Sequence, residues 1–191
     1  MNPYSGLVSY QDRIRWDRRY GDHDVVPEAE VGLPAVFRPF ADIFPTAGNA
    51  LELASGRGGV AVWLAERGLN VLGCDVSPVA VKQARALADG AGVASRCRFE
   101  VVDLDYGLPA GPRVDVLVCN KFRDERLNRS VVERLAQGGL LAISVLSEVG
   151  AAPGPFRART GELQRAFGGL DVIAAREANG AAFLLARRGS S

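Results

Sequence analysis

The chain has 191 residues, 48% hydrophobic and 24% charged, and its 23 Lys and Arg against 22 Asp and Glu leave a net charge of +1. That length and balance fit one globular domain with a substantial core and provide no global field to recruit nucleic acid, leaving only a local basic patch open. Three cysteines, Cys74, Cys97 and Cys119, are odd in number, far apart and without zinc-ligand spacing, so reduced thiols, a cytoplasmic location and no metal are expected.

Along the chain, residues 9–20, SYQDRIRWDRRY, predict a polar helix with an aromatic edge. Trp16 and Tyr20 are i,i+4 neighbours on it and either pack on the core or cover a ligand, while Arg13, Arg15, Arg18 and Arg19 supply cations. Pro27, Pro34, Pro39 and Pro45 interrupt residues 21–47, which are expected to form an irregular lid carrying the only histidine, His23. His23 is either solvated or a weak candidate for a general base. The core is expected over 48–191, the whole of 1–191 forming a single domain. No apolar run approaches a membrane span, and the first residues lack a basic segment followed by an apolar one, so neither a span nor a secretory leader is expected.

Strands are predicted near 49–54, 70–75, 97–103, 114–119 and 139–147, with helices near 58–68, 77–90, 123–136 and 160–167. Strand alternating with helix at these lengths predicts an α/β fold with a doubly wound, mostly parallel sheet. The pattern changes at the end. Strand-like runs at 170–177 and 181–188 are separated by Ala178, Asn179 and Gly180, and Asn-Gly between such runs predicts an antiparallel hairpin.

The most informative segment is 51–75, LELASGRGGVAVWLAERGLNVLGCD. After the first strand come Ala54, Ser55, Gly56, Arg57, Gly58 and Gly59, nearly all small, so little side chain keeps a ligand from the backbone. The helix that follows aims its positive end at the same space. Asp75, at the end of the second strand and followed by Val76, is placed to accept both hydroxyls of a ribose. Gly56-x-Gly58-x-x-Ala61 satisfies a dinucleotide fingerprint in form. Glu52 argues against one: a carboxylate two residues before the turn repels a pyrophosphate and can receive an ammonium. S-adenosyl-L-methionine offers an ammonium and a sulfonium and no phosphate.

Glu52-x-Ala54-x-Gly56-x-Gly58 resembles the first motif, acidic-x-Gly-x-Gly-x-Gly, of class I S-adenosylmethionine-dependent methyltransferases, with Ala54 in place of the first glycine. The resemblance implies that fold, a Rossmann-like seven-stranded sheet whose last two strands form the antiparallel hairpin. It also implies a cofactor site of Glu52, Ala54, Ser55, Gly56, Gly58, Asp75 and Val76, with Asp103 and Leu104 in VVDLD receiving the adenine and Asn120 contributed by the fourth motif, DVLVCN. More narrowly, WDRRYG, VVDLD and the run containing Gly161-Glu162-Leu163 and Glu177 are similar to bacterial small-molecule methyltransferases of the tellurite-resistance and thiopurine type. This implies methyl transfer to a small thiol, oxyanion or similar nucleophile.

For the acceptor, Trp16, Tyr20, Lys121 and Arg123 are the candidate contacts, Lys121 also being a weak catalytic candidate; Glu162 reads more simply as a first-turn acid complementing its helix dipole. The expected partner is a small molecule, with neither nucleic acid nor membrane involved, and the oligomeric state is not readable. Two alternatives stand beside this: an NAD(P)-dependent Rossmann oxidoreductase, favoured by the glycine spacing and opposed by Glu52 and the hairpin, and a non-catalytic S-adenosylmethionine-binding protein of the same fold.

Overall fold

A computed structural model describes residues 5–21, 31–152 and 157–189. Helix α1 (Ser5–Gly21) precedes a core of β1 (Asn49–Leu53), α2 (Gly59–Glu66), β2 (Asn70–Asp75), α3 (Pro78–Gly90), β3 (Cys97–Val101) and β4 (Val114–Asn120). There follow α4 (Asn128–Arg134), β5 (Leu135–Ser147), the two-residue β6 (Arg157–Ala158), α5 (Glu162–Phe167), β7 (Asp171–Ala178) and β8 (Ala181–Arg187). The sheet order is β3-β2-β1-β4-β5-β8-β7, with β6 pairing beside β5. Strands from β3 to β5 run parallel, and β8 lies antiparallel to both β5 and β7. This is the doubly wound sheet with a terminal hairpin that the sequence predicts, extended by the short β6.

Strand period places the core on both faces of the sheet. On β1, Ala50 joins the cluster holding Val62, Leu64, Leu69 and Phe99, whereas Leu51 and Leu53 join Leu117, Cys119, Ile143 and Phe167 on the other side. The chain reverses direction of winding between β1 and β4, so the carboxyl ends of β1, β2 and β4 open onto one crevice, where open α/β sheets take their ligands. At the hairpin, Asn179 (φ 52°) and Gly180 (φ 75°) both adopt the left-handed conformation that a two-residue turn demands.

Three local expectations change. The helix expected over 123–136 is a short 3₁₀ turn (Glu125–Leu127) followed by α4, and β5 starts at Leu135 rather than 139. The strand starts early because Leu135 pairs with Val114 before a bulge, and Gly138 at φ 73° lets the chain pass it. Residues 31–47 are not a lid: Leu33, Phe37 and Phe44 are buried in the core, Phe37 edge-on to Phe183 and Phe44 edge-on to Trp63. The prolines break regular structure there, but the apolar residues between them still seek burial. Residues 22–30, which include His23, lie outside those described.

Because Phe37 is 0% exposed, Phe37→Ala is expected to cost about 3–5 kcal/mol by transfer loss plus cavity. Urea unfolding checks this; a cost below ~1 kcal/mol, usual for a surface position, would return the segment to the surface.

Candidate active site

The turn after β1 reverses through three left-handed residues in alternation: Ala54 (φ 50°), Gly56 (φ 51°) and Gly58 (φ 80°). Glycine suits this conformation, and Ala54 adopts it at a cost of about 1–2 kcal/mol. The two glycines serve different ends. A Cβ on Gly58 would lie 2.8 Å from the Ala84 methyl and 3.0 Å from the Phe99 ring, so Gly58 lets α2 and α3 close over β3. A Cβ on Gly56 would meet Tyr20 of α1, its hydroxyl at 2.9 Å and its ring edge at 3.6 Å, so Gly56 turns its face toward that side chain rather than toward the core.

Two carboxyls sit beneath this turn. Asp75, 5% exposed, ends β2 with both oxygens held by main chain: Gly56 N–H donates to Oδ2 at 2.8 Å and Ser77 N–H to Oδ1 at 2.9 Å. Burial raises its pKa, opposed by those N–H groups. Glu52, 3% exposed, accepts the Ala61 N–H on Oε2 at 3.0 Å and so satisfies one of the free donors of the first turn of α2. Burial pushes the Glu52 carboxyl up to about 8; the Ala61 N–H works against this and the Asp75 charge adds to it. The positive end of α2 is thus partly spent on the protein's own carboxylate instead of facing a ligand. Two buried carboxyls that repel one another and draw their hydrogen bonds from N–H groups are matched to a cationic ligand bearing hydroxyls, and mismatched to a pyrophosphate.

Helix α1 closes the near side. Tyr20 stacks on Trp16 at 5.8 Å between ring centroids, and the Arg57 guanidinium lies 5.7 Å from the Tyr20 ring. Arg15 and Arg19 lie over Trp16. Burial, then the Asp75 charge, pushes the Tyr20 hydroxyl up to about 12. The helix is tied down by Gln83, which donates to the Tyr20 carbonyl at 3.0 Å, and by Ser77, whose hydroxyl donates to Asp17 and accepts the Ala80 N–H to cap α3. Tyr20 therefore stands over the glycine turn, and Trp16 stacks on it.

At the end of β3, the Asp103 carboxylate accepts the Asp105 N–H at 3.0 Å and opens a 3₁₀ turn (Leu104–Tyr106), with the Leu104 side chain in the core. At the end of β4, Asn120 accepts a 2.6 Å hydrogen bond from the Ser144 hydroxyl. Lys121 takes φ 60°, gives its N–H to the Ser144 carbonyl at 2.7 Å and exposes its side chain, with no ion pair among the described residues. Arg123 departs from expectation. It is buried at 6% side-chain exposure, its Nε on Glu162 Oε1 at 2.6 Å and its Nη1 on Asn128 Oδ1 at 2.7 Å, so its charge is already neutralised and it is no free cation for an acceptor. Glu162 is correspondingly more than a dipole complement; burial opposes ionisation, but the Arg159 N–H and Arg123 hold its pKa below the ordinary carboxylate value.

Burial pushes Cys74 and Cys119 up to about 12, which makes both inert packing thiols. Among the described residues no group of His, Cys, Asp or Glu is placed to hold a metal, and no helix is long and apolar enough to cross a membrane. Sequence inspection missed Ser77, although Ser77-Pro78 is a cap followed by an N1 proline, and it missed the Arg123–Glu162 pair, which no local signal reveals.

Comparison with known proteins agrees with this geometry. A family model described as a methyltransferase domain matches residues 50–139, the segment that carries the glycine turn, Asp75 and Asp103. TehB from Haemophilus influenzae superposes with a TM-score of 0.70 at 17% identity, covering 80% of this chain and 61% of TehB, so the chain spans about three-fifths of that relative. A protein whose structure concerns conversion of a disulfide bond into a thioacetal group during echinomycin biosynthesis matches with a TM-score of 0.68 at 21% identity over 94% of both chains. An S-adenosylmethionine-dependent methyltransferase from Mesorhizobium loti matches with a TM-score of 0.67 at 20% identity, over 81% of this chain and 98% of that one. At these identities the structural matches establish the fold, that of the class I S-adenosylmethionine-dependent methyltransferases, and the methyltransferase-domain match falls on the segment of that fold which carries the glycine turn.

Proposed function

We propose that this chain transfers a methyl group from S-adenosyl-L-methionine to a small nucleophile of the thiol or oxyanion class, in the cytoplasm, where its three cysteines stay reduced. The observation that carries this is the pair of buried carboxyls, Glu52 and Asp75, under a glycine turn. Asp75 would accept the ribose hydroxyls on the lone pairs left by Gly56 and Ser77, and Glu52 would receive the ammonium. Ala54, Ser55, Gly56 and Val76 would line the path between, Gly58 supporting the turn from behind, with Asp103, Leu104 and Asn120 toward the base. When bound, the cofactor would supply an electrophilic methyl on a sulfonium, with S-adenosylhomocysteine as the leaving group when an acceptor takes the methyl.

What remains for the protein is to exclude water and hold the acceptor in line, which can supply on the order of 7–11 kcal/mol. A thiolate or oxyanion is already nucleophilic and requires no base. Lys121, exposed at the end of β4, would hold its charge. Tyr20 and Trp16 would cover the cofactor. The near-zero net charge favours a small acceptor over nucleic acid, and one structural neighbour is described by a sulfur-centred reaction.

Calorimetry tests the cofactor. S-adenosylhomocysteine should bind and NAD should not, with Asp75→Ala weakening the former by about 10-fold or more as a charge-assisted acceptor is lost; a nicotinamide dinucleotide binding in its place would sink the proposal. Methyl transfer across a panel of thiols, oxyanions, phenols, amines and RNA then tests the acceptor class: transfer to RNA alone would contradict it, and no transfer at all would favour a non-catalytic binder.

Glu52 also predicts a pH dependence. Its folded pKa of about 8 lies above its ordinary 4.5, so its contribution to stability is fully present below 4.5 and is lost as pH rises through about 8. Glu52→Gln keeps an acceptor for the Ala61 N–H without the charge. Relative to wild type it should gain on the order of 1–3 kcal/mol at pH 9 and little at pH 5, read from urea unfolding at the two values. An equal effect at both would place the Glu52 titration elsewhere.

A further inference from the structure

The loops after β3 and β4 are joined although their strands are not neighbours. In the order β3-β2-β1-β4 two strands separate them, so at about 4.8 Å per strand their roots stand roughly 14 Å apart. The two loops meet at the Arg126 guanidinium. Its Nη2 lies 2.6 Å from Asp105 Oδ1 of the post-β3 turn and 2.6 Å from Asp124 Oδ2 of its own loop, and its Nε lies 3.0 Å from each Asp124 oxygen. Asp124 Oδ1 accepts the Arg126 N–H as well, at 2.9 Å. The near end is anchored inward: the Asp124 carbonyl accepts from Arg123 Nη1 at 3.0 Å, and Arg123 is fixed by Glu162 and Asn128. The far end grips the turn that Asp103 caps, because the N–H of Asp105 is the donor to Asp103 Oδ1.

We infer that Arg126 is a positioning residue for the nucleobase of the cofactor, a clamp that ties the loop after β4 to the turn after β3 and sets where the Asp103 turn stands. This rests on the proposed function, which orders the ligand across the sheet: ammonium at Glu52 on β1, ribose at Asp75 on β2, and hence the base toward the loop after β3. Arg126 itself need not touch the ligand. Its two ion pairs draw the Asp103 turn inward, against the base edge. The guanidinium is 62% exposed against 26% for Asp105 and 12% for Asp124, so the outer half of the clamp is open to screening by salt.

The test is calorimetry on the full chain with S-adenosylhomocysteine and with S-inosylhomocysteine, which replaces the 6-amino group by a carbonyl. Wild type should prefer the adenine compound. Arg126→Ala and Asp105→Asn should each weaken it about fivefold, what an exposed ion pair can contribute, while changing the inosine compound less, so that base discrimination shrinks. Arg126→Lys, with one charge and no fork, should restore part of it. Raising NaCl from 0.05 to about 0.5 M should erode the wild-type preference and leave that of Arg126→Ala flat. Unchanged affinity in Arg126→Ala, or an equal loss on both nucleosides accompanied by a lower Tm, would overturn the clamp. Failure of wild type to bind S-adenosylhomocysteine at all would bring down the functional reading itself, and the clamp with it.

Discussion

The Asp75 carboxylate, held between the Gly56 N–H at 2.8 Å and the Ser77 N–H at 2.9 Å, joins the turn after β1 to the end of β2. Each partner depends on it. The left-handed conformation of Gly56 aims its N–H at that carboxylate, and Ser77, with its N–H committed there, uses its hydroxyl to cap α3 and hold α1. The pairing of Glu52 with Gly73 and Leu53 with Cys74 sets the register that brings the two ends level. A shift of one residue would exchange the faces of every side chain on the strand and separate the acid from its donors. The ligand crevice is therefore a consequence of strand register first and of side-chain chemistry second.

Charge is distributed unevenly around that crevice. Its floor holds two carboxyls that burial leaves reluctant to ionise, an arrangement that costs stability in the empty protein and that a cation relieves. Its rim holds arginines already matched with acids: Arg123 with Glu162 inside, Arg126 with Asp105 and Asp124 outside. Lys121, by contrast, is exposed and has no ion pair among the described residues.

Much of this was legible in the sequence, for local reasons. Period-two apolar runs marked the strands, Asn179-Gly180 marked the hairpin, and small residues from Ala54 to Gly59 marked the turn. Glu52 stood out as one acid within an apolar strand. Its bond to Ala61 did not, since nine residues of chain must fold back before those atoms meet. Lys121 and Arg123 are two positions apart with opposite fates, because the left-handed backbone at Lys121 turns one side chain out and the next arginine in. Residues 31–47 misled through their prolines, while the signal that mattered was Leu33, Phe37 and Phe44, which are core residues in an irregular wrapper.

A crystal structure of the protein grown with S-adenosylhomocysteine is the most direct measurement. The account predicts both ribose hydroxyls on Asp75 and the ammonium on Glu52, directly or through one water, at hydrogen-bond distances of about 2.7–3.2 Å. A nucleoside seated away from Asp75, or an amino-acid end turned away from Glu52, would contradict it.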